Sequence, residues 1–169
     1  MTMERVKWDG WAPAQRATLL FVRQGGRILL IEKKRGLGAG KVNAPGGRIE
    51  PGETAAAAAV REVEEEVCVT PHPPVERGSL KFQFVDGFSI SAAVFTSDGF
   101  TGEPRETDEA VPMWVDERSI PYERMWADDR IWVPHMLAGR RFDGRFLFDG
   151  DAMRGYELDV HAGAVRPAG

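Results

Sequence analysis

Residues 47–69, GRIEPGETAAAAAVREVEEEVCV, decide how the rest of this chain is read. Pro51-Gly52 stops any helix arriving from the N-terminal side, and Glu53 or Thr54 can cap a new one. The alanines at 55–59 have the highest helix propensity of any residue, so the segment predicts a helix over Thr54–Val67. At about 100° per residue, Ala56, Val60, Val63 and Val67 share one stripe, which is expected to face the core. Glu62, Glu65 and Glu66 stand at i, i+3 and i+4, about 140° from that stripe. Only Arg61, four residues before Glu65, offers them a counter-charge on the helix itself.

Taken alone, three such acids read as a solvated helix face. The alternative is a platform for Mg²⁺, a hard cation that takes carboxylate oxygens and keeps waters for a phosphate to displace. Pro45-Gly46-Gly47 just upstream favours the second reading, because a glycine backbone can approach a metal or phosphate closely.

Outward from the helix, Thr18–Arg23 and Arg27–Glu32 are branched-rich runs around Gln24-Gly25-Gly26 and predict a β-hairpin. Leu80–Phe84 and Ser89–Thr96 are candidate strands, with shorter ones at Met113–Val115 and Arg145–Phe148. Residues 33–53, rich in Gly, Pro and basic residues, read as a long functional loop. A second helix is expected between Asp128-Asp129 and Gly139, with Pro134 either interrupting it or sitting in the first turn of a shorter one. Strands and helices in this order predict a single α/β (α+β) domain over 1–169, a mixed sheet between helices. Its core is expected at about 17–158, with 1–16 and 159–169 peripheral.

Composition agrees. With 43% hydrophobic residues over 169 positions the chain can bury a core, which excludes disordered and fibrous classes. The single cysteine, Cys68, cannot form an internal disulfide, and no apolar run suits a signal peptide or a bilayer, so a soluble cytoplasmic protein is expected. A net charge of -4 argues against polymeric nucleic acid as a partner. The charge is unevenly placed: residues 1–48 hold ten Lys/Arg against three acids, and residues 49–169 hold twelve against twenty-three. Anion and cation can meet where the two parts adjoin.

Residues 47–69 resemble the Nudix box, in which Gly47, Glu53, Arg61, Glu62, Val63, Glu65, Glu66 and Val69 fall at the family's positions. The one departure is Cys68, where the family has glycine; it puts the shape of the following turn in question, and a small buried hydrophobe is expected there. The resemblance implies the Nudix fold and hydrolysis of a nucleoside diphosphate derivative with Mg²⁺ or Mn²⁺. It assigns the metals to Glu62, Glu65 and Glu66 with the Gly46 carbonyl, and a bracing pair to Glu53 and Arg61. Further similarity, in Lys33–Asn43, Trp126–Asp129 and Phe142–Phe148, is to the MutT-homologue group that hydrolyses oxidised purine nucleoside triphosphates such as 8-oxo-dGTP to the monophosphate and pyrophosphate. That group implies Lys33 near the substrate, Asn43 hydrogen-bonded to the base, Trp126 stacked on it, Asp128 and Asp129 at its edge, and Phe82 in an aromatic wall. Glu109 aligns with a further carboxylate near the metals or the attacking water.

Each piece also has a plainer reading. Lys33–Asn43 by composition is a flexible basic loop, Trp126–Asp129 an ordinary helix start, Phe82 a core residue and Glu109 a solvated acid. GLGAGK is no Walker A loop, since Arg35 and Val42 stand where Gly and Ser/Thr are needed. Val42 and Leu37 replace a Trp and a Phe of the group, so the pocket wall is expected to differ. His72, His135 and His161 have no zinc spacing. Other substrates of the same fold remain open, namely alkylated purine nucleotides, dinucleoside polyphosphates and nucleotide sugars. So does a non-catalytic nucleotide-binding module, as monomer or small homo-oligomer.

Overall fold

A computed structural model describes residues 1–164. Helix α1 spans Ala55–Val67, and the Thr54 hydroxyl accepts from the Ala57 amide at 3.1 Å. Such a cap is worth about 1 kcal/mol. The helix does not run on past its box: Cys68 turns left-handed at φ 65°, and its amide closes on the Glu64 carbonyl. Glycine would take this conformation freely, whereas a Cβ crowds the carbonyl there. Contrary to the expectation of a buried hydrophobe, Cys68 is exposed. The left-handed cap carries its side chain out of the interface between helix and sheet.

The buried arc of α1 is Ala58, Ala59, Val63, Glu66 and Val67. Ala56 and Val60, expected in the core, are only half-buried. The helix is rotated so that its smallest residues meet the sheet, and the rotation draws Glu66 into the interface.

Strand β1 (Gln15–Gln24) and β2 (Arg27–Lys33) form the expected hairpin, turning on Gly25 and Gly26 at positive φ. Residues 33–53 are not all loop. They hold β3 (Val42–Asn43), paired to β2, and β4 (Gly46–Arg48), paired to β1. Two- and three-residue strands in glycine-rich sequence carry no readable alternation. The short β5 (Val69–Pro71) and β8 (Phe100–Gly102) pair with each other. The remaining strands are β6 (Val75–Phe84), β7 (Ser89–Ser97), β9 (Ala110–Asp116), β10 (Arg140–Asp149) and β11 (Ala152–Ala164).

They complete a nine-stranded mixed sheet ordered β11-β10-β6-β7-β1-β2-β3, with β4 on β1 and β9 on β2. The pairs β1–β7 and β6–β10 are parallel. Strand β11 carries the chain past residue 159 along the edge, and residues 165–169 of the tail lie outside the described residues.

The second helix, α2, spans Asp129–Leu137 and contains Pro134 in its interior, past the first turn. Pro134 and Arg130 are both exposed, so the Arg130 carbonyl that loses its amide partner is left to water. Gly139 at φ 77° follows the helix. Two cores flank the sheet. Ala59, Val63 and Val67 of α1 pack with Leu20, Val22, Leu29 and Ile31, whereas Trp132, Val133 and Met136 of α2 pack with Phe21, Leu80, Phe142 and Phe146. The result is a single mixed sheet between two helices. Among the described residues no helix is long and apolar enough to cross a membrane.

Candidate active site

The acidic end is organised by Arg61. Its guanidinium bonds both oxygens of Glu53, at 2.7 and 2.9 Å, together with the Arg48 carbonyl, Glu62 and Glu65. It therefore ties the loop before α1 to the helix. The fork holds the Glu53 carboxyl down at about 2, helped by the Glu50 amide, and Glu53 in turn keeps Arg61 charged.

Carboxylate oxygens of Glu62, Glu66 and Glu109 lie within 4.8 Å of one another. Glu109 reaches this point through Thr107, whose hydroxyl donates to the Glu66 carbonyl at 2.7 Å and accepts from the Glu109 amide. Burial, reinforced by the charge of Glu62, pushes the Glu66 carboxyl up to about 8, against the pull of the Gly46 amide and Lys33. Glu62 is also raised, chiefly by burial, with Arg61 opposing. Crowded, partly desolvated carboxylates of this kind can hold a metal ion, which would restore their ionised form.

Glycine is required beside them. A Cβ at Gly47 would strike the Glu62 carboxylate, and one at Gly46 would strike the Thr18 carbonyl. Gly46 thus keeps its backbone next to both the acids and β1. Glu65 stands apart, with its side chain 54% exposed and its carboxylate on Arg61.

Beyond Thr18 lies an open-mouthed cleft with an internal volume of about 130 Å³. Lys33, Asn43, Phe82, Trp126, Asp128 and Asp129 all line it. Lys33 Nζ donates to the Leu37 carbonyl, closing the glycine-rich loop that forms one lip. Asn43 Oδ1 accepts from the Ala44 amide, and its NH₂ group makes no hydrogen bond among the described residues. Trp126 meets Phe84 and Phe148 edge-on, and Lys41 covers it at 5.1 Å. Lys41 is not in the lining, so it sits on the outer side of the ring.

At the inner end, Asp128 and Asp129 are each 2% exposed. Asp128 precedes α2 without capping it, because its carboxylate instead accepts from Trp132 Nε1 at 2.8 Å. Asp129 Oδ2 is buried with no partner. Burial raises both carboxyls, Asp129 further because of the Asp128 charge beside it, so the pair holds a proton more tightly than free carboxyls do.

The structure thus gathers the expected residues into two neighbouring groups, the acids at α1 and the cleft lining, with Lys33 near both. It separates Glu65 from the other three acids, and it buries Val42 in the core outside the lining while Leu37 remains in it. Sequence reading missed Thr18, Phe84, Phe148 and Ile90 in the wall, which look like ordinary strand residues until the sheet is assembled. Thr18 carries one further signal, a buried hydroxyl without a partner.

A NUDIX domain is matched over residues 13–136, and the chain belongs to that family. It is 44% identical over 144 residues to the oxidized purine nucleoside triphosphate hydrolase of Danio rerio, covering 84% of this chain and 92% of the relative. The mouse (Mus musculus) protein of the same description is 37% identical over 143 residues, covering 83% and 92%. Among solved structures, the mutator MutT protein from Bacillus halodurans superposes with a TM-score of 0.78 at 28% identity, covering 86% of this chain and 97% of that one.

Proposed function

We propose that this protein hydrolyses oxidised purine nucleoside triphosphates to the monophosphate and pyrophosphate, cleansing the cytoplasmic nucleotide pool. The observation that carries the reading is a carboxylate cluster next to an aromatic-walled cleft, with Lys33 near both and a buried acid pair at the inner end of the cleft. Glu62, Glu66 and Glu109 would hold Mg²⁺ with the Gly46 carbonyl, and Glu65 would complete the set by turning its exposed carboxylate away from Arg61. The all-oxygen donors suit that cation. When bound, the ion neutralises phosphate charge and lowers the pKa of an attacking water.

The chain's own groups do the rest. Arg61 and Glu53 fix the helix against the loop. Lys33, between the acids and the cleft, offsets triphosphate charge. Trp126 and Phe82 grip the purine faces, and Asn43 donates to its edge. An acid beside a carboxylate can both donate and accept, so Asp128 and Asp129 recognise a 6-oxo or a 6-amino purine.

The test is a panel of normal and oxidised triphosphates ranked by kcat/KM, with pyrophosphate release followed with and without Mg²⁺. Oxidised purines should lead the ranking, and no release should occur without metal. Equal rates on modified and normal substrates would remove the cleansing role. Binding without turnover would leave a nucleotide sensor.

A further inference from the structure

The N-terminal segment before β1 lies almost wholly outside the matched domain, yet specific side-chain contacts tie it to the sheet. Met3 packs where a Cβ at Gly155 would stand, Arg145 covers the Trp8 ring, and Lys81 covers Trp11, each at 5.5 Å. Two polar contacts then fall on one hairpin. Trp11 Nε1 donates to Gln83 Oε1 at 2.9 Å, and the Ala14 amide donates to the buried Ser89 hydroxyl at 2.9 Å. Gln83 is the last residue but one of β6 and Ser89 begins β7, so the segment grips both arms beside the Val85–Phe88 turn.

Gln83 passes the grip onward. Its Nε2 donates to the carbonyls of Phe84 and Phe88 at 3.0 and 3.2 Å, and the Phe84 amide also bonds the Phe88 carbonyl. Side chains alternate across a strand, so Gln83 holds the back of the β6 backbone whose front presents Phe82 and Phe84 to the cleft. Ile90, next to Ser89, lines the cleft from β7. Phe84 in turn abuts Trp126 at 6.4 Å between ring centres.

We propose that Trp11 and Gln83 are positioning residues for the base, and that the N-terminal segment is a specificity element acting from behind the pocket wall. The proposal rests on the purine triphosphate reading above. Neither residue touches the cleft. Each acts through Phe82, Phe84 and Ile90.

Two variants separate the two sides of the contact. Trp11→Phe keeps a ring against Lys81 and removes only the donor. Gln83→Glu keeps the acceptor for Trp11 and removes both donors to the hairpin carbonyls. Amide hydrogen exchange at residues 84–89 of the ligand-free protein should quicken about tenfold in Trp11→Phe and more in Gln83→Glu. KM for the oxidised purine triphosphate should rise about fivefold, the worth of one hydrogen bond, with kcat within about twofold and Mg²⁺ affinity unchanged. Exchange unchanged in both variants overturns the proposal. So does faster exchange with KM and the oxidised-to-normal ratio unmoved, since the segment would then be a structural strap alone. An inactive wild type would strike the functional reading instead and would leave the exchange result to decide the positioning.

Discussion

The site holds two groups of crowded carboxylates, and they are neutralised in different ways. At one end, Glu62, Glu66 and Glu109 are ringed by Arg61 on Glu62, Arg35 on Glu109 at 3.1 Å, and Lys33 near Glu66. At the other, Asp128 and Asp129 have one indole N–H and no cation in hydrogen-bond reach among the described residues. The first group opens to water at Glu109 and is surrounded by charge, a setting in which a cation can enter and leave. The second is sealed, so a proton is the only neutralising agent that fits. The same residue chemistry therefore yields a metal platform at one end and a hydrogen-bonding edge at the other.

Removing an acid should thus have different consequences at the two ends, with metal binding lost at one and kept at the other. Glu66→Gln and Glu65→Gln should each reduce turnover by about a thousandfold or more, because charge neutralisation and water activation are both lost. Glu66→Gln should also abolish stabilisation by Mg²⁺ in a thermal melt while the metal-free melting temperature holds or rises, since Gln sits neutral at this buried position without having to take up a proton. Near-normal pyrophosphate release from either variant would sink the metal assignment. At the base end, Asp129→Asn should lower kcat/KM for the oxidised purine by about a hundredfold, and Trp126→Ala by about tenfold, a loss in the range of one stacked base. Both should bind Mg²⁺ as wild type does, which titration calorimetry would check.

The two ends also differ in how visible they were in the sequence. The acids of α1 sit at i, i+3 and i+4 behind a cap and a glycine pair, a spacing that holds its meaning in one dimension. Even so, the helix wheel placed only half of the stripe: Val63 and Val67 are buried as expected. Ala59 and Glu66 are buried while Val60 is half-exposed, because hydrophobicity alone could not say that the smallest residues would let the sheet approach closest. The base end is built from β1, β3, β6, β7, β10 and the start of α2, so no local pattern announces it. Its polar residues were found only through family likeness. Phe84, Phe148 and Ile90 alternate like any core strand and were missed. Strand β11, with Gly155 and several charged residues, lacked the branched run that marked the inner strands. The N-terminal tryptophans gave no signal because their partners, Gln83 and Arg145, lie 72 and 137 positions away.

The metal end titrates in a direction that the base end cannot copy. Without metal, Glu66 holds its proton up to about 8, whereas the bound ion requires the carboxylate. Apparent Mg²⁺ affinity should therefore climb as pH rises toward 8 and then level off. At pH 7 binding should release roughly 0.9 proton from this group, seen as a calorimetric enthalpy that changes with the ionisation heat of the buffer. Buffer-independent heats would mean that Glu66 is not a ligand.

The smallest effect belongs to stability at the base end, and its sign is opposite to that of an ordinary salt-bridged acid. Asp129 titrates far above the 3.8 of an unperturbed aspartate because burial and Asp128 disfavour its charge. Between those two pH values the folded chain binds more protons than the unfolded one, so stability is full below about pH 4 and falls as pH rises toward the folded-state value. Asn at position 129 carries no proton to lose. The melting temperature of Asp129→Asn relative to wild type, measured without metal, should hence improve from pH 5 to pH 8. A gap that stays constant over that range would place a charge, rather than a shared proton, on the pair.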